Sequence, residues 1–191
     1  MPKQSFPVVF LLAVSRLFLI KERRVTGLIS PWLMQEIRNV TRIAVIDGQG
    51  GGIGRLLVEK LSRALRNRRA EILVLGTNVL ATSTMLKAGA NEGATGENAV
   101  VQNVAGVDII VGTISLLVAH SMLGEFTPAM AEAVARSPAI KVLLHLNRSG
   151  VEVVGTSAEP LPHLVDMLVE RVNTLVISRE KSLNGKTGPI P

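Results

Sequence analysis

Five glycines fall within seven residues, at Gly48, Gly50, Gly51, Gly52 and Gly54, directly after an apolar run that ends in an acid, Arg42-Ile43-Ala44-Val45-Ile46-Asp47. Ile53, Leu56, Leu57, Leu61, Ala64 and Leu65 then recur at helical spacing. The pattern reads as strand, tight turn, helix. Glycines let the backbone turn sharply and come close to an anion, and the free N–H groups of a helix N-terminus face that anion with the positive end of the helix dipole. The chemistry this suggests is phosphate binding, with Asp47, Gly48, Gln49, Gly50, Gly51, Gly52, Ile53, Gly54 and Arg55 as the cradle. The competing reading is a strand-to-helix turn whose glycines serve close packing only.

Ligands of open parallel sheets bind beyond the carboxyl ends of the strands. That rule gathers residues 47–55, Gly76-Thr77-Asn78, Gly112-Thr113 and Asn147-Arg148. A dinucleotide site usually carries Asp or Glu at the end of its second strand, for the ribose hydroxyls. Thr77 and Asn78 stand there instead, so the expected cofactor is NAD or NADP, with Arg55 near enough in sequence to help with a 2′-phosphate. Asn78 as a helix cap and Thr77 as a turn residue are the alternatives. Asp47 could hold a ribose hydroxyl, hold Mg²⁺ beside phosphates, act as a base, or accept hydrogen bonds from the glycine-loop amides. His120, His145 and Glu97 are the other candidate acids; His120 follows an apolar stretch that favours packing, and His163 falls at a helix start. No lysine follows the glycines as a Walker loop requires.

The turn Gly48-x-x-x-Gly52-Ile53-Gly54 looks like the nucleotide-binding loop of short-chain dehydrogenases/reductases. That family has Thr or Ser before the first glycine, where this chain has Asp47. Its proton donor is a Tyr with a Lys four residues on, and this chain contains no Tyr. The segments IAVIDGQGGGIGR, LGTNVLATSTMLKAGA, GATGENAVV, HSMLGEFTPAMAEAV and LNRSGVEVVG together resemble an uncharacterised bacterial family, known from anaerobic Gram-positive bacteria. Its members are catalogued as a domain of unknown function with a Rossmann-like fold. The similarity spans about residues 42–177 and implies the fold, with no activity attached.

The elements that must position these residues alternate. Strands are expected at about 42–47, 71–76, 99–103, 107–111, 140–146 and 151–155, and helices at about 53–66, 78–89, 114–123, 128–136 and 161–177. Asn78 and Thr127 are expected N-caps, with Pro128 opening its helix. The short connection from 146 to 151 suggests a hairpin, hence an antiparallel edge strand on a mostly parallel sheet. The fold class is three-layer α/β, covering about 40–178, with 179–191 expected to be a disordered tail.

The chain has 191 residues, 47% of them apolar, which suits one sizeable core. It has no Cys and three scattered His, so no metal site is expected. The net charge is +6, but residues 1–33 carry +4 of it and the stretch from Arg179 carries +2. The neutral remainder has neither Tyr nor Trp, which argues against nucleic acid. Phe6–Ile20 is too short, and too interrupted by Arg16, for a spanning helix. Residues 1–33 read as a stretch ahead of a natural start at Met34, as a peripheral membrane anchor, or as an unusual targeting segment. The overall expectation is a cytoplasmic protein that binds a small-molecule nucleotide, with a homo-oligomer possible through the apolar helix near the C-terminus. A non-catalytic sensor or partner-binding module is the alternative.

Overall fold

The computed structural model describes residues 40–146, 151–156 and 159–184. The segment 1–33 and the Asn147-Arg148 loop therefore lie outside the described residues. Strand β1 (Thr41–Asp47) leads into helix α1 (Gly52–Ala64), β2 (Ala70–Gly76), α2 (Val79–Lys87), β3 (Glu92–Thr95) and α3 (Glu97–Asn103). Next come β4 (Ile109–Thr113), two 3₁₀ turns (Ile114–Leu117 and Met122–Gly124), α4 (Pro128–Arg136), β5 (Ile140–Leu144) and α5 (Leu161–Asn184).

The five strands form one sheet in the order β3-β2-β1-β4-β5, and every pairing is parallel. This is the doubly wound, Rossmann-like order, which grows outward from β1 in one direction and then from β4 in the other. Successive residues of a strand face opposite sides. Ile43 and Val45 accordingly join Leu57, Leu61, Ala81, Met85, Val165 and Val172 on the face covered by α1, α2 and α5. Ala44 and Ile46 join Val100, Val104, Phe126, Met130 and Val134 on the face covered by α3 and α4. Helices on both faces bury Ile43, Ala44, Val45 and Ile46 of β1 almost completely, which is why that stretch is a continuous apolar run.

Several expectations need correction. Residues 151–155 form no strand, so the described sheet has no antiparallel edge. Residues 99–103 are helical: Gly96 and Glu97 open α3, and Val100 and Val104 point the same way, into the core. Strand β3 falls where none was expected, and its residues are mostly exposed because it is an edge strand. The helix expected at 114–123 is two 3₁₀ turns, with left-handed backbone at His120, Met122 and Leu123. Helix α5 continues through residues 179–184, tied down where Arg179 pairs with Asp108 at 2.7 Å and Glu180 accepts from the Arg69 amide at 2.8 Å. Among the described residues, no helix is long and apolar enough to cross a membrane.

Candidate functional site

Between β1 and β4 the winding reverses, so the chain leaves their carboxyl ends toward opposite faces and a crevice must open there. A crevice of about 340 Å³ lies at that point. Asp47, Gln49 and Ile53 line it from the β1–α1 turn, Thr113 and Ser115 from the end of β4, and Met122, Leu123 and Leu146 close its sides. No basic residue and no histidine is among those lining residues.

The glycine turn builds one wall. The Gly51 amide donates to the Gly48 carbonyl at 2.9 Å, and Gly51, at φ +67°, is the N-cap of α1. A glycine cap has no side chain to satisfy the first-turn amides. Asp47 does so from the end of β1: one carboxylate oxygen accepts from Gly48 N at 2.8 Å and the other from Gly54 N at 2.7 Å. A carboxylate at a helix N-terminus is also favoured by the helix dipole. Burial pushes the Asp47 carboxyl above the usual aspartate range; the amides of Gly54, Gly48 and Ile53 oppose the rise, and the nearby Glu125 charge adds to it.

The glycines divide the labour. A Cβ on Gly54 would lie 2.8 Å from Asp47 Cβ and closer still to Met85 Sδ, so Gly54 serves the packing of α1 on β1 and α2. A Cβ on Gly48 would meet Thr77 Oγ1, Met122 Sδ and Glu125 Oε2 within 3.0 Å. At Gly50 and Gly52 a Cβ would meet nothing within 4 Å, so these two face open space at the start of α1. The close-packing reading thus holds for Gly48 and Gly54 and leaves Gly50 and Gly52 unexplained by packing.

Thr77 and Asn78 are drawn to the same turn by a residue that the sequence motifs do not mark. Glu125, from the segment between β4 and α4, accepts at Oε2 from the Gln49 amide at 2.8 Å, from Asn78 Nδ2 at 2.9 Å and from the Thr77 hydroxyl. The Thr77 hydroxyl, with the Gln49 amide and Asn78, holds the Glu125 carboxyl below the usual glutamate range against its partial burial. Asn78 also caps α2, accepting from Ala81 N at 2.9 Å, and Thr77 N donates to the Asp47 carbonyl at 3.1 Å. Phe126, fully buried, anchors the segment, and Ser121 Oγ donates to the Ser115 carbonyl at 2.7 Å.

The remaining candidates are placed elsewhere. Arg55 is exposed and pairs with Glu59 at 3.6 Å along its own helix. His120 is exposed rather than packed. His145 follows β5, with Nδ1 3.4 Å from Thr156 Oγ1, and His163 pairs with Glu159 at 2.8 Å in the first turn of α5. Glu97 is an exposed residue in the first turn of α3. Among the described residues no group of three His, Cys, Asp or Glu is placed to hold a metal ion.

Residues 42–177 match a family described as a domain of unknown function, DUF3842, and the chain belongs to that family. Comparison with curated proteins and with solved structures returned no match.

Proposed function

We propose that this member of the family binds a small-molecule nucleotide of the NAD(P) class at the crevice between β1 and β4. The observation that carries the reading is the opening at Gly50 and Gly52, two glycines with empty space before them at the start of α1, beside the point where the strand order reverses. A diphosphate there would meet backbone amides with no side chain in the way. Asp47 stands behind them, and its charge opposes an anion. Both its oxygens are already engaged, by the Gly48 and Gly54 amides. Thr113 and Ser115 on the far wall supply polar partners for a ribose or a base.

Oxidoreductase chemistry on such a ligand would proceed without the Tyr/Lys pair of short-chain dehydrogenases, since the chain has no Tyr. A second reading is a non-catalytic sensor or partner-binding module in the cytoplasm. It is favoured by the lining itself, in which Asp47 is the sole ionisable side chain and both its oxygens already accept amide protons.

The test is a thermal-shift panel on the full chain with NAD, NADH, NADP, NADPH, ATP with Mg²⁺, and S-adenosylmethionine. A ligand at about 100 times its dissociation constant adds roughly 2.7 kcal/mol. For a domain of this size that raises the melting temperature by about 5–10 °C. Gly52→Asp, which puts a carboxylate in the opening, abolishes the shift while the domain stays folded. A flat panel refutes the nucleotide reading and favours the partner-binding one.

A further inference from the structure

We propose that Glu125, which stands beside the crevice lining against Gln49 and Thr77, is the acceptor for a ribose hydroxyl and makes the site select a 2′-hydroxyl ligand, NAD, over its 2′-phosphorylated counterpart, NADP. The inference rests on the nucleotide reading of the crevice.

Dinucleotide folds place an acid at the end of the second strand, where it accepts from the adenosine ribose. Here β2 ends in Gly76-Thr77-Asn78, and neither Thr nor Asn brings charge to that position. The charge arrives from another part of the chain. Glu125 lies 48 residues beyond Thr77 and 76 beyond Gln49, yet it hydrogen-bonds both, so its carboxylate sits at the junction of the β1 and β2 loops. That junction is where a ribose lies when its diphosphate rests on the start of α1.

Three donors converge on Glu125 Oε2, while Oε1 accepts none among the described residues. A carboxylate fixed on one oxygen and available on the other can take a hydroxyl donor without rearranging. The segment that carries it is also fixed. Phe126 N donates to the Ser121 carbonyl at 3.2 Å, His120 N donates to the Phe126 carbonyl at 2.8 Å, and Phe126 itself is buried. His120, Met122 and Leu123 hold left-handed backbone in the same turn, and Gln49, across the crevice, is the other non-glycine residue with positive φ among those described. Backbone strain of this kind gathers where a structure must hold a group in one place.

The discrimination follows from charge. The three donors keep Glu125 ionised, so a 2′-phosphate would bring like charge against it, while a 2′-hydroxyl donates to it. Arg55, the residue that would have welcomed the phosphate, points along α1 toward Glu59.

Calorimetric titration of the full chain with NAD and with NADP, at one salt concentration, tests this. A hydrogen bond to a charged acceptor predicts that the wild type binds NAD roughly tenfold or more tightly than NADP. Glu125→Gln keeps an oxygen for the same three donors, so the fold stands. Its amide donates to a phosphate, and the NAD preference falls toward parity. Equal or tighter binding of NADP by the wild type overturns the inference, whatever the variant does. So does a Glu125→Gln protein with an unchanged ratio. Binding of neither ligand overturns the nucleotide reading, and this inference with it.

Discussion

Gly52 and Gly54 sit two residues apart at the start of one helix, and the geometry assigns them opposite consequences on mutation to alanine. The methyl group added at Gly54 would stand 2.8 Å from Asp47 Cβ and 3.0 Å from Met85 Cγ. Carbon atoms prefer about 3.5–4.0 Å, so at least one partner must move. Met85, on α2, is fully buried in the core, so its side chain shifts only by displacing core neighbours. Asp47 moves only by stretching its bond to Gly54 N, now 2.7 Å. Overpacking of this kind costs about 1–3 kcal/mol. Alanine recovers up to about 1 kcal/mol of helix propensity, less so this near a helix end. The net is about 1–2 kcal/mol, a fall in melting temperature of about 2–8 °C. At Gly52 the methyl meets nothing within 4 Å, and the residue is not left-handed. Gly52→Ala therefore stabilises by about 0.4–1 kcal/mol through the unfolded chain. Circular dichroism melts of both variants, followed by nucleotide titration, separate packing from binding. Gly54→Ala melts early, whereas Gly52→Ala melts at or above the wild type and binds more weakly. A Gly54→Ala protein as stable as the wild type, or a Gly52→Ala protein less stable than Gly54→Ala, would refute the assignment.

Other perturbations have equally definite outcomes. Phe126→Ala empties a fully buried site and should cost about 3–5 kcal/mol in urea unfolding, with a loss below about 1 kcal/mol contradicting its role as anchor. Glu125 has a folded-state carboxyl below its ordinary value, so the stability it contributes is present above the unfolded value and lost as the pH falls through the folded one. Glu125→Gln removes that acid-side dependence, and urea melts between about pH 3 and 7 should show the two proteins converging toward low pH; parallel curves would contradict the hydrogen-bonded arrangement. Glu180→Ala removes the acceptor for Arg69 N and the partner of Arg68, and should lower stability by about 1 kcal/mol, seen as faster hydrogen exchange in the last turns of α5.

The half of the fold built from β1, α1, β2 and α2 is legible in the sequence because each element carries its own punctuation. The glycine turn, the polar Asn67-Arg68-Arg69, the Asn78 cap and Gly89 mark boundaries that the structure keeps to within a few residues. Thr127 and Pro128 mark α4 in the same way, with Thr127 Oγ1 accepting from Met130 N at 3.2 Å. Legibility fails where signals are short or shared. Val100 and Val101 are β-branched and read as a strand, yet a seven-residue helix that buries Val100, with Val104 buried at its C-cap, serves as well. β3 has no apolar run to detect, because an edge strand of four residues needs little burial. The β1 and β2 loops adjoin, with Thr77 N donating to the Asp47 carbonyl and Asn78 Nδ2 to the Gln49 carbonyl. Glu125 does not announce itself: it lies in a Leu-Gly-Glu-Phe turn, and its position is set by Phe126 and by donors more than 40 residues away.

The all-parallel sheet also constrains how the chain reaches this state. No two neighbouring strands of the described sheet are joined by a hairpin, so no ladder in it can form by local zipping. β1 meets β4 only across a loop that separates Arg42 from its partner Asp108 by 66 residues. During synthesis, β1 therefore spends the translation of the next two βα units with one edge and much of one face uncovered. An apolar strand so long exposed is a natural client for chaperones, and parallel pairing of this range folds slowly. The strand that ends in Asp47 is thus the first of the sheet to be made and among the last to be fully enclosed.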